Sequence, residues 1–78
     1  MVYRLRESAS PADFMAGRPF ADQFFYPAAD VREALTAHVH ETIVSDRDPA
    51  IVTNDELHTY AILNGSELLA AGTFEAVS

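Results

Sequence analysis

Cysteine is missing from this sequence, and so is lysine. The first absence excludes disulfides and thiolate-bound metal, and it suits a reducing compartment such as the cytoplasm. The second leaves arginine as the only fixed cation. Five arginines stand against twelve aspartates and glutamates, for a net charge of −7. That balance disfavours direct binding to nucleic acid, which requires a basic face to displace counterions. Long apolar runs are lacking too: none approaches the roughly 20 residues of a membrane-spanning helix. The opening stretch Met1–Glu7 alternates charged and apolar residues and forms no signal-peptide core, so no membrane association is expected. Glycine is scarce, with only Gly17, Gly65 and Gly72, and none sits in a loop that could cradle phosphate.

What is present describes a folded chain. Apolar residues make up 49% of the 78 positions and charged residues 22%, a globular composition. One domain over residues 1–78 is expected. A chain of this size buries only about 60% of the surface exposed when unfolded, so its core is thin.

Tyr3 and Leu5 alternate with Arg4 and Arg6, which predicts a half-exposed strand over residues 2–7. Ser10 is a good N-cap, Pro11 suits the first helical position, and Asp13 lies near the positive helix end, predicting a short helix over 11–16. Gly17 and Pro19 end it. Residues 20–26 hold four aromatic rings and read as a short strand or an irregular segment. Asp30 caps the clearest helix, with Glu33 placed to reach back to the Asp30 amide. Val31, Leu35, Val39 and Ile43 draw one apolar stripe along residues 31–45, and Asp48 before Pro49 leaves the helical region. Ala50–Thr53 reads as a strand. Asn64-Gly65 between residues 57–63 and 66–74 is a strong hairpin signal. As the turn pair, it sets Leu63 opposite Ser66, Ala61 opposite Leu68 and Tyr60 opposite Leu69. The competing reading makes Ser66–Ala71 a short helix capped by Gly72. The expected fold is α+β, a small antiparallel sheet of three or four strands with the main helix on one face and a short N-terminal helix.

Several constellations invite chemistry. His38 and His40 point about 200° apart on a helix and cannot share a metal ion, so His38 borders the core and His40 is solvated. Asp46 and Asp48 open like a calcium loop, but Ala50, Ile51 and Leu57 stand where its further ligands and glycine belong. Asp55, Glu56 and His58 offer an acid–base pair without a nucleophile and its orienting group. No catalytic residue, metal or cofactor is therefore expected.

Two features point to a protein partner. Phe24, Phe25 and Tyr26 are consecutive and cannot all face inward, so at least one ring reaches a second surface, where aromatics make strong anchors. Charge is also uneven. Residues 1–29 balance, residues 57–78 carry −2, and residues 30–56 carry −5. Glu33, Glu41, Asp46, Asp48, Asp55 and Glu56 would form a negative array complementary to an arginine- or lysine-lined surface.

In size, acidity and α+β pattern the chain resembles the small anti-CRISPR proteins of phages and mobile elements. The resemblance rests on the −7 balance and the acids of residues 30–56, and it carries over no functional residue. It implies a non-enzymatic inhibitor that acts as an acidic DNA mimic on a nucleic-acid-binding surface of a CRISPR effector subunit. The alternative expectation is a small regulatory or structural subunit, monomer or homodimer, that acts through apolar contacts at Phe24, Phe25, Tyr26 and the outer hairpin face.

Overall fold

The computed structural model describes residues 1–43 and 48–78; the expectations attached to Asp46 fall outside them. Among the described residues the chain forms β1 (Val2–Glu7), α1 (Pro11–Met15), β2 (Asp22–Pro27), α2 (Val31–Thr42), β3 (Ala50–Asn54), β4 (Thr59–Asn64) and β5 (Glu67–Ala76). The strands make one antiparallel sheet in the order β2-β1-β5-β4-β3. The fold is α+β, with five strands in place of the three or four expected. The aromatic segment supplies the additional one: all six residues of β2 pair with β1.

Alternation along the paired strands sorts the side chains into two faces. The inner face carries Leu5 and Glu7 of β1, Phe24 and Tyr26 of β2, Tyr60 and Ile62 of β4, and Phe74 of β5. α2 lies across this face and buries Ala34, Leu35, His38 and Val39 against it. Val31 and Ile43, the ends of the predicted stripe, pack at its margin.

The helix ends follow local chemistry. Ser10 Oγ accepts from the Asp13 amide at 3.2 Å to start α1. At its far end the Arg18 amide donates to Asp13 O and the Gly17 amide to Phe14 O, with Gly17 at φ +70°. This is the paired arrangement of a left-handed glycine cap. Asp30 Oδ1 accepts from the Glu33 amide at 2.9 Å. Glu33 reaches back as expected, but to the amide of Ala29 (3.1 Å), one residue earlier than anticipated. α2 stops at Thr42, short of the predicted residue 45, because Ile43 is already extended at φ −114° and ψ 108°.

The hairpin is real but its register differs from expectation. Asn64 pairs with Glu67, so the two turn residues are Gly65 and Ser66. Gly65 has φ +62°, and one positive-φ glycine at the first turn position meets the need of a type II′ turn, whereas Asn64-Gly65 would require two such residues. A bulge follows: Leu63 pairs with Leu68, then Ile62 with Ala70, leaving Leu69 unmatched. Ala61 therefore faces Ala71 and Tyr60 faces Gly72. The bulge moves Ala71 to the outer face and brings Gly72 beneath Tyr60. The helical alternative for Ser66–Ala71 is replaced by β5.

Candidate interaction surface

Polar groups that no sequence pattern had joined meet under α2. His38 is fully buried. Its Nε2 lies 2.9 Å from Glu7 Oε1, and its Nδ1 lies 2.9 Å from Tyr26 Oη. Tyr26 donates to Glu41 Oε2 at 2.8 Å, and Tyr60 donates to Glu7 Oε1 at 3.0 Å. Tyr26 spends its only hydroxyl proton on Glu41, so Nδ1–H of His38 donates to Tyr26 Oη. The Phe24 ring packs 4.7 Å from the imidazole. Burial raises the ionisation of both phenols above the ordinary tyrosine range, reinforced by Glu41 at Tyr26 and by Glu7 at Tyr60.

This network ties α2 to β1, β2 and β4. It was missed because Glu7 and His38 are 31 residues apart. One signal was available: Glu7 has the parity of Tyr3 and Leu5, which places it on the apolar side of its strand. The cavities between α1 and the sheet and between α2 and β3 are lined by neither Glu7 nor His38. Among the described residues no three His, Asp or Glu side chains gather into a cation site. The network thus acts as a satisfied polar core that holds the helix in register.

The outer sheet face is open. Its β2–β1 half is polar apart from the exposed Phe25 ring opposite Arg4: Arg4 pairs with Glu75 across the ladder, holding the Glu75 carboxyl below its usual range, and Arg6 Nε donates to Gln23 Oε1 at 3.4 Å. Its β5–β4–β3 half is apolar. There α1 rests against β5 and leaves a shallow cavity of about 200 Å³ lined by Phe14, Met15, Val52, Ala61, Leu68 and Ala71. Met15 is 78% exposed, Val52 54% and Leu57, in the next turn, 68%.

The residues expected to bind a partner are dispersed. Tyr26 is a core residue and Phe24 packs against the core, while Phe25 points outward and is 54% exposed; of the three rings, only Phe25 is presented. Glu33 and Glu41 sit toward opposite ends of α2, and each carboxylate already accepts an internal hydrogen bond. Asp48 precedes β3. Asp55 and Glu56 follow it in a turn organised by Asn54 Oδ1, which accepts from the Glu56 and Leu57 amides. The strand rise puts roughly 20 Å between Asp48 and Asp55. The described acids therefore do not converge on one face. Those nearest the apolar half bracket β3 at its two ends.

No protein-family model, curated protein or solved structure matches the chain. No helix among the described residues is long and apolar enough to cross a membrane.

Proposed function

We propose that the chain is a non-enzymatic protein-binding module that inhibits or regulates a partner by covering an apolar surface flanked by basic groups. The observation that supports this reading most strongly is the apolar half of the outer sheet face, which α1 covers only in part, leaving Val52 and Met15 exposed, with acids at both ends of β3. Monomers of this size seldom leave the face of a sheet apolar without a use for it. An excess of seven negative charges speeds encounter with a basic surface and rejects acidic ones.

In the finer version, which the acidic balance favours, the partner is a CRISPR effector subunit in the cytoplasm, and its basic nucleic-acid channel supplies the complementary groups. The test uses purified full-length protein added to a reconstituted effector complex, with retention on the complex and target-DNA binding both measured. Binding that falls with salt and is lost in Leu68→Glu is the expected result. If no effector retains the protein, the finer version falls. If a host protein is retained equally well by Leu68→Glu and by the native chain, the outer face is not the contact surface.

A further inference from the structure

Among the described residues β3 ends the sheet and pairs with β4 alone. Edge strands usually carry protection against pairing with another chain, such as a charge, a proline or a bulge. The opposite edge, β2, carries Asp22 at its start and Pro27 at its end. β3 is Ala-Ile-Val-Thr-Asn; Asp48 and Pro49 stand just before it, but no charge, proline or bulge lies within it, and its ladder with β4 runs unbroken over all five residues. Beside it, between β3 and α2, lies a cavity of about 360 Å³ lined by Val39, Ile51, Thr36, Arg32, His40 and Asp48.

From this edge we infer a binding mode for the module: the partner contributes an extended segment that adds to β3 as a sixth strand. The inference rests on the protein-binding reading given above. Alternate side chains of an added strand point to opposite faces. On the inner side they enter the cavity between Ile51 and Val39. On the outer side they lie against Val52.

Charge selects the occupant. A second copy of this chain, paired antiparallel about Val52, would set Asp48 of one copy against Glu56 of the other at both ends, and parallel pairing would set Asp48 against Asp48. Like charges directly opposed across a ladder are destabilising, and each copy carries −7 overall. A segment with a β-branched, apolar centre of about five residues and lysine or arginine at both ends meets the same brackets with attraction. The occupant is therefore a basic-flanked strand of a different protein.

The test uses isotope-labelled full-length protein and two synthetic peptides with one alternating valine–threonine centre, flanked by two lysines at each end or by two glutamates. With the lysine peptide, the amides of residues 50–54 shift and exchange more slowly, and the effect weakens as salt is added. The glutamate peptide leaves them unmoved. Combined reversal of Asp48, Asp55 and Glu56 to lysine weakens binding of the lysine peptide at least about tenfold. Val52→Lys, which places a charge on the edge strand, also weakens it while the remaining spectrum stays native. Equal response to both peptides, shifts outside β3, or no shift at millimolar peptide would overturn strand addition. Shifts of residues 50–54 with protein concentration alone would assign the edge to a second copy and overturn it as well. If a partner is retained through the outer face while β3 ignores the peptides, only the binding mode has failed. If β3 takes the lysine peptide but no partner is found, only the broader reading has failed.

Discussion

A β-carbon at position 72 would collide with the backbone oxygen of Arg6 and press on Tyr60 Oη. Glycine is needed there because three strands meet at one row: Gly72 pairs with Glu7 on one side and Tyr60 on the other. The Tyr60 ring crosses the bare glycine and delivers its hydroxyl to Glu7. An aromatic neighbour laid over a glycine restores the packing the glycine lacks. Gly72→Ala is expected to cost at least about 3 kcal/mol, since the collision is with backbone and has no side chain to yield. The urea midpoint of unfolding measures it. An unchanged midpoint would show that β1 and β5 can separate locally without loss.

At the scale of elements, the helix starts depend on single side chains. Asp30→Ala removes the acceptor of the Glu33 amide and is expected to lower stability by about 1 kcal/mol, read from thermal unfolding. Loss of an N-cap was foreseeable, because capping is a contact between near neighbours. So were β1, with its alternating Tyr3, Arg4, Leu5 and Arg6, and the Ser10-Pro11 start of α1. The β4–β5 register was not. Asn64-Gly65 and Gly65-Ser66 both suit a two-residue turn, and moving from one to the other slides β5 two residues along β4 while each side chain keeps its face. The extra Leu69 in the bulge is what exchanges the faces, from Ala70 onward. The interaction surface was legible only in part. Phe25 could be expected outside once three consecutive rings were noted, but which of the three faces outward depends on strand parity within β2. The separation of Asp48 from Asp55 follows from β3 lying straight between them. The exposure of β3 itself depends on strand order, which no local pattern encodes.

For the whole molecule, the buried phenols link stability to pH. An unfolded tyrosine ionises near pH 10, and burial raises Tyr26 and Tyr60 above that value. Below about pH 10 both states hold these protons and the phenols contribute their full stabilisation. Above it the unfolded chain releases protons that the folded chain retains, so stability declines as pH climbs toward the folded-state values. Tyrosinate absorbance and circular dichroism recorded together are expected to show these two rings ionising only as the fold is lost. Ionisation of all three tyrosines with the fold intact would refute it. The sheet also orders assembly in time. β5 comes last among the strands in the chain yet lies third of five across the sheet. Among the described residues no strand pairing joins β2–β1 to β4–β3 except through β5. A chain emerging from the ribosome therefore cannot close its sheet until the ten-residue β5 is free to pair with β1 and β4 on its two sides.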